Sequence, residues 1–322
     1  MSSNEYPNFY KASNIQEASH HTMLLKNWDL SYNQVSSGKF ISSLNEVSFD
    51  GIQIYRETFA PSIFQKGSAK QACISLGFFG ELNEPAVWKG KQINSKEIIS
   101  IISGEEVMLY TPPQCTFFAL SIPLIYLEDH CTKMLQHSSK ILADSDVIHH
   151  LHPKLYALLN TLLSQPLLVA TKAVRSEIQS ELLQLTTEYL DNLYLHPNDF
   201  RISTKKANQV VRLALEAVEN TQDQSLSVEE LCGLTHTSRR TLQNCFEQIT
   251  GVSPALFLKY LRLNTVRKIL AQSDEIISVS DVAMNFGFWH LSQFASDYKR
   301  LFTESPSDTL RTNRRIKTLL WS

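Results

Sequence analysis

Apolar and polar positions divide the chain into a strand-rich first part and a helical remainder. Short β-forming runs separated by turn residues fill residues 44–123. The runs are Val47–Phe59 with an interruption at Asp50-Gly51, Cys73–Phe79, Val87–Ile93, Ile98–Ile102, Glu106–Tyr110 and Thr116–Ile122. Runs of this length and spacing are typical of an antiparallel sandwich or barrel.

After Pro123 the apolar spacing becomes helical. Helices are predicted over Leu124–Leu135, Pro153–Leu163 and Thr171–Leu190. The third carries an apolar stripe with steps of three and four residues, formed by Val174, Ile178, Leu182, Leu185 and Tyr189. Such a stripe needs a partner, which is either the sheet or a second subunit.

Polar segments predict where the domains end. Residues 1–20 lack periodicity and are expected to be disordered. Residues 197–206 are polar, follow the last predicted helix and are interpreted as a linker. We therefore expect an N-terminal domain over residues 1–196 and an all-helical domain over residues 207–315.

An internal repeat is the strongest pattern in the chain. Copy one (residues 226–254) and copy two (residues 277–306) share a Ser-x-x-acid start, at Ser227-Glu230 and Ser278-Asp281, and a Ser-Pro end. Each copy predicts a short helix, a turn and a longer helix, with the longer ones over Ser238–Thr250 and His290–Phe302. This is the helix-turn-helix arrangement, in which the second helix lies in the major groove of DNA.

The predicted connecting helix between the copies runs from Pro254 to Ala271. Its length is roughly 27 Å at 1.5 Å per residue. Successive major-groove faces lie about 34 Å apart, so the connector can place two recognition helices on one face of DNA.

The charge distribution supports this interpretation. The chain has a net charge of −2, but residues 1–200 carry 14 Lys+Arg against 20 Asp+Glu. Residues 201–322 carry 16 Lys+Arg against 12 Asp+Glu, so the basic surplus lies with the repeat.

The residues of the repeat resemble the AraC/XylS family of transcription regulators. In copy one they are Ser238-Arg239-Arg240-Thr241-Leu242-Gln243, Phe246, Gly251 and Ser253-Pro254; in copy two they are Ala283, Gly287-Phe288, Phe294, Tyr298-Lys299 and Ser305-Pro306. The resemblance implies a double helix-turn-helix domain. It also implies an N-terminal domain with a cupin-like β-barrel or sandwich that senses an effector and dimerises. The expected fold is therefore α+β, and RNA polymerase is the expected partner of an activator.

Polar side chains in the two recognition helices are the predicted DNA contacts. In copy one they are Arg239, Arg240, Thr241, Gln243 and Asn244; in copy two they are His290, Leu291, Ser292, Gln293 and Ser296, followed by the phosphate contacts Lys299, Arg300 and Arg311. Phe288 and Trp289 are expected to pack in the core. The family often has Arg where this chain has Ser296, followed here by Asp297, which indicates weaker base reading by copy two.

The N-terminal domain is expected to bind a small molecule rather than to catalyse a reaction. No His occurs from Thr22 to Asp129, where a metal-dependent cupin needs its ligands. The His149-His150-x-His152 cluster is interpreted as a loop, and no cofactor or metal is expected. Predicted pocket residues, which core packing alone also explains, are Tyr55, Phe78, Trp88, Tyr110 and Phe118.

Several alternatives remain open from the sequence. The N-terminal domain could serve only oligomerisation or a protein partner, with no effector. An enzyme fused to a DNA-binding module would need an activated Cys site, whereas the five cysteines are widely spaced and suit buried thiols. No leader or membrane-spanning run is present, so the cytoplasm is the expected location.

Overall fold

Two antiparallel sheets form the N-terminal part of the chain. The computed structural model describes residues 7–70, 72–127, 141–142, 146–195, 202–221, 226–273 and 277–312. Sheet one has the strand order β1-β3-β4-β11-β6-β9-β12 and sheet two the order β2-β5-β10-β7-β8. The sheets do not close on each other, so the sandwich form of the predicted barrel or sandwich is confirmed.

Each run predicted between residues 44 and 123 forms one or two strands, but the strand at Ile63–Ala69 was not predicted. The strand bounds are β1 Asn8–Ile15, β2 Trp28–Gln34, β3 Ser42–Phe49, β4 Ile52–Phe59, β5 Ile63–Ala69, β6 Cys73–Phe79, β7 Ala86–Trp88, β8 Lys91–Ile93, β9 Ile98–Ile102, β10 Val107–Thr111, β11 Cys115–Pro123 and β12 Ile141–Leu142. The turn at Asp50-Gly51 has positive φ at both residues, as a tight hairpin requires.

The central strands of sheet one are buried on both faces. On β11, Phe117 and Ala119 point into the sandwich interior, while Phe118 and Leu120 point to the outer face. Successive side chains alternate between the faces of a strand, so a strand buried on both faces is apolar without interruption.

Helices cover the outer face of sheet one. They are α2 (Asp146–Ser164) and α3 (Lys172–Leu195), which follow the short helix α1 (Ala18–Leu24). The apolar stripe of α3 packs against the same core as β4, β6 and β11, and Leu182 and Tyr189 are fully buried there. The sheet is therefore the partner of that stripe, and only Val174 at its start stays partly exposed.

Three expectations for the N-terminal domain are wrong. Residues 8–34 form β1, α1 and β2 instead of a disordered start and a core that begins near residue 44. The signal was weak at β1, because only Ile15 of this edge strand is buried. The strand β2 alternates apolar and polar residues from Trp28 to Asn33 and could have been predicted. The helix α2 begins at Asp146, so Pro153 lies inside it and the His149-His150-x-His152 cluster is helical rather than in a loop.

The rest of the chain is helical. The bounds are α4 Ile202–Glu219, α5 Val228–Leu234, α6 Arg239–Thr250, α7 Pro254–Gln272, α8 Val279–Asn285 and α9 Leu291–Phe302, followed by a helix over residues 306–312. Since α4 starts at Ile202, residues 202–206 are helical and not part of a linker. Residues 128–135 of the helix predicted after Pro123 and residues 197–201 of the predicted linker lie outside the described part of the chain. Within the described part, no helix is long and apolar enough to cross a membrane.

Only one of the two predicted capping boxes forms. Ser227 Oγ accepts a hydrogen bond from Glu230 N at 3.2 Å, and Ser227 N donates to Glu230 Oε2 at 2.7 Å. In copy two the Ser278 hydroxyl instead pairs with Ser280 Oγ at 2.7 Å, so the predicted box with Asp281 is wrong. The Ser280 hydroxyl is thus the partner of the Ser278 side chain, in place of the backbone N–H that an N-cap residue binds.

This difference gives a matched pair of substitutions. Ser227→Ala should lower the free energy of unfolding by about 1 kcal/mol, because it removes an N-cap that the helix uses. Ser278→Ala should change it by less than about 0.5 kcal/mol. Denaturant titration of both variants checks the prediction, and equal losses would contradict it.

Candidate DNA-binding surface

Copy one presents a polar helix face above an apolar one. The turn between α5 and α6 passes through His236 with φ of +51°, in place of the usual glycine. Leu242 and Phe246 on α6 are fully buried. Arg240, Gln243 and Asn244 are exposed on the opposite side of the helix.

The polar residues of α6 differ in how they are engaged. Thr241 serves the N-cap, since its N–H donates to Ser238 Oγ at 3.2 Å. Arg239 Nη1 pairs with Glu229 Oε1 at 2.6 Å, but both side chains are exposed and such pairs are weak. Arg240 and Asn244 form no hydrogen bond or ion pair with residues that the structure describes. The polar groups of these two side chains are therefore available to a binding partner.

Copy two has the same arrangement. The turn between α8 and α9 uses Gly287 with φ of +76°. Phe294 and Tyr298 point into the core. The predicted DNA contacts on α9 are exposed, namely His290, Leu291, Ser292, Gln293, Ser296, Lys299 and Arg300.

Asp297 does not lie on the exposed face of α9. Its side chain is buried and accepts from Lys259 Nζ on the connecting helix at 3.2 Å. The acidic residue beside Ser296 therefore anchors α9 to α7 and does not oppose a phosphate.

The expectation that Trp289 packs in the core is wrong. Its side chain is 74% exposed, immediately before the N-cap of α9. Phe288 is the residue that packs, with its ring 5.0 Å from that of Phe294 and 5.1 Å from the guanidinium of Arg262. Sequence spacing could not distinguish these neighbours, because both are aromatic.

Both recognition helices rest with their C-terminal ends on the sandwich. At the end of α6, Gln248 Nε2 donates to Gly90 O at 3.0 Å. At the end of α9, Leu301 O accepts from Gly38 N at 3.0 Å and from Gln34 Nε2 at 2.9 Å. The N-terminal turns of both helices, with the predicted base contacts, remain exposed to solvent.

The connecting helix α7 is also held by the sandwich. Asn264 pairs with the backbone of Gln34 through two hydrogen bonds of 3.0 Å. Arg267 binds both carboxylate oxygens of Glu17 at 2.7 and 3.0 Å, and Glu304 at 2.8 Å. Burial raises the pKa of the Glu17 carboxyl, and Arg267 partly offsets that shift.

The five predicted pocket residues do not form one site. Tyr55 and Trp88 line a cavity of about 40 Å³ between the sheets. Phe78 and Phe118 stack 5.4 Å apart in the core on the outer face of sheet one. Tyr110 faces Gly251 at the boundary with copy one.

The cavity between the sheets is lined mainly by apolar side chains, but three residues of its lining carry a buried donor without a partner. Trp28 Nε1, Gln65 Nε2 and Trp88 Nε1 are buried and have no acceptor among the described residues. All three are hydrogen-bond donors. Of these three residues only Trp88 was predicted from the sequence. The alternating run Trp28–Asn33 in β2 could have identified Trp28, whereas β5 has no such alternation around Gln65.

A second buried polar group involves the helix α1. His21 bridges Ser42 Oγ and Glu57 Oε1, both at 2.7 Å, and Tyr32 Oη donates to the same Glu57 oxygen at 2.8 Å. Burial raises the pKa of Tyr32, so its hydroxyl stays a donor. His21 directly precedes the His-free stretch from Thr22 to Asp129, and the described residues contain no group of three or more His, Cys, Asp or Glu that could hold a metal.

His152, Cys73, Cys115 and Cys245 lie in structural positions, whereas Cys232 is only half-buried. His152 packs its ring 4.9 Å from Phe78, and burial lowers its pKa. Burial raises the pKa of the Cys115 thiol to about 12, the opposite of an activated nucleophile. Cys73 and Cys245 are also buried, as predicted, and Cys131 lies outside the described residues.

Comparison with known proteins gives matches over the repeat and beyond it. A family model described as a helix-turn-helix domain matches residues 231–312. The "XylDLEGF operon transcriptional activator 2" of Pseudomonas putida is 32% identical over 131 residues, which are 40% of this chain and 82% of that protein. The "XylDLEGF operon transcriptional activator 3" of the same organism is 24% identical over 286 residues, 86% of this chain and 84% of that protein. The crystal structure of the AraC-like transcriptional activator CuxR covers 80% of this chain and 94% of its own, at 14% identity and a TM-score of 0.45.

The exposed face of α6 gives a direct prediction. Arg240→Ala should weaken specific DNA binding by about 1–3 kcal/mol, because one bidentate contact to a guanine is lost. Gel-shift titration at fixed salt measures the change. Arg212→Ala is the control, since Arg212 is an exposed arginine on α4 that pairs with Glu216. Equal affinities of wild type and Arg240→Ala would remove Arg240 from base recognition.

Proposed function

Because the chain belongs to the AraC/XylS family of transcription regulators, we propose that it activates transcription from a specific DNA site in response to a small molecule. The helices α6 and α9 occupy successive major grooves of double-stranded DNA. The sandwich binds the effector, and RNA polymerase is the partner that the bound regulator recruits.

The exposed N-terminal turns of α6 and α9 carry the DNA-binding part of the proposal. In helix-turn-helix proteins these turns contact base edges. Here they hold residues with free polar ends, such as Arg240 and Asn244, above fully buried apolar faces. Lys299 and Arg300 near the end of α9 suit phosphates that flank the groove.

Activation is the direction that the relatives support. Both Pseudomonas putida proteins are named as transcriptional activators. An activator must leave a surface for RNA polymerase when its two recognition helices face DNA. We assign that surface to the outer sides of α2 and α3, which carry the exposed Tyr156 and Val174.

The unpartnered donors in the sandwich support a small-molecule site. Buried polar groups normally have partners, and three orphan donors around one cavity imply an occupant with acceptor atoms. The cavity of about 40 Å³ has room for about three water molecules, or for the polar end of a compact ligand. Tyr55 and Trp88 line this site, whereas Phe78, Phe118 and Tyr110 do not.

The cavity is adjacent to the elements that hold the DNA-binding domain. Leu30 on β2 lines both this cavity and a cleft of about 220 Å³ next to α7. The same strand ends at Gln34, which binds Asn264 and Leu301 O. A ligand that shifts β2 would therefore change how α7 and α9 are held.

The competing proposal is a regulator controlled only by oligomerisation or by a protein partner. The expected homodimer also remains a proposal. Because the stripe of α3 packs on its own sheet, a dimer needs a different surface. Light scattering across micromolar concentrations measures the oligomeric state.

Genome-wide mapping of bound DNA tests the core of the proposal. Full-length protein should enrich a shared motif next to a small set of genes, and those genes would suggest the effector. Enrichment that does not exceed that of the Arg240→Ala variant would contradict sequence-specific regulation through α6.

Thermal-shift screening with metabolites tests the effector site. A specific ligand should raise the melting temperature by mass action. Trp28→Phe and Trp88→Phe replace the indole with a smaller aromatic ring and remove one donor each, so they should weaken the shift. Phe78→Leu on the outer face is the control and should retain the shift. A ligand whose shift survives both Trp variants would place the effector elsewhere.

A further inference from the structure

The two recognition helices present different chemistry at equivalent positions. Their N-caps, Ser238 and His290, set the register between them. In this register the outward-facing residues Arg240, Gln243 and Asn244 of α6 correspond to Ser292, Ala295 and Ser296 of α9. Long hydrogen-bonding side chains in copy one are thus replaced by small ones in copy two.

The small residues leave little hydrogen-bonding capacity on this face of α9. Ser296 Oγ donates to Ser292 O of the preceding turn at 3.0 Å, so its proton is already used within the helix. Ala295 offers only a methyl group. A helix with such a face can lie close to the floor of the major groove and contact it through carbon atoms.

Exposed apolar side chains surround the start of the same helix. Trp289 is 74% exposed, Leu291 is 40% exposed and Met284 at the end of α8 is 36% exposed. In copy one the first recognition-helix residue is Arg239, where copy two has Leu291. Large apolar groups that project from a soluble protein mark contact sites.

We propose that copy two reads thymine C5-methyl groups through Trp289, Leu291 and Ala295, an inference that rests on the proposed function. The thymine methyl is the apolar group that the major groove displays, and it distinguishes A·T from other pairs without any hydrogen bond. The occupant of this apolar surface is therefore a thymine-bearing half-site. Copy one reads the other half-site through hydrogen bonds.

Deoxyuridine substitution tests the proposal directly, since it deletes the methyl and keeps the Watson–Crick pair. The probe is a duplex with the mapped binding site, and each thymine is replaced in turn. The half-site of copy two is the one whose base preferences do not change in the Arg240→Ala variant. At least one replacement there should weaken binding of the full-length protein about fourfold, the value expected for one buried methyl.

Variants of the protein identify the contacting side chains. Trp289→Ala and Leu291→Ala should each weaken binding to the thymine duplex at least threefold, and the loss should shrink on the deoxyuridine duplex. Leu167→Ala is the control, because Leu167 is also 74% exposed but lies in the sandwich domain. Circular dichroism melting checks that the exposed substitutions leave the fold intact.

The outcomes separate this proposal from the proposed function. Specific binding with no effect of deoxyuridine in that half-site would overturn methyl reading and leave sequence-specific regulation in place. Normal DNA affinity of both variants would do the same. Absence of any specific site would overturn both proposals.

Discussion

The docking of both recognition helices on the sandwich is the constraint on which the rest of the structure depends. Leu301 O and the side chain of Gln248 hold the C-terminal ends of α9 and α6, and Asn264 holds the helix between them. A continuous apolar core supports these bonds, with the Phe64 and Phe257 rings 5.2 Å apart in an edge-to-face arrangement. Because the C-terminal ends are fixed, the N-terminal turns point to solvent together.

Two kinds of polar interaction, hydrogen bonds and ion pairs, lie at the boundary between the sandwich and the helical domain. The hydrogen bonds from the sandwich to Asn264 and Leu301 are specific in geometry, so a shift of β2 must break or move them. The ion pairs of Arg267 with Glu17 and Glu304 are half-buried and tie α1 to copy two. Since α1 also carries His21, which binds Glu57 inside the sandwich, the interior and the DNA-binding domain share one short helix.

The sequence predicted those features that produce a strong local pattern. The strands between Val47 and Ile122 alternate or run apolar, and the repeat fixes α6 and α9 to within one residue. The edge strand β1 was not predicted, because it buries only Ile15. The strand β5 was not predicted, because Gln65, Lys66 and Gly67 interrupt its apolar run. Side-chain direction was beyond a single sequence: the inward turn of Asp297 depends on Lys259, which is distant along the chain.

The central claim is that two unequal readers contact one face of DNA. Hydroxyl-radical footprinting of the full-length protein on its mapped site measures this most directly. The claim predicts two protected patches on the same face of the duplex, about one helical turn apart. A single protected patch, or two patches on opposite faces, would contradict it.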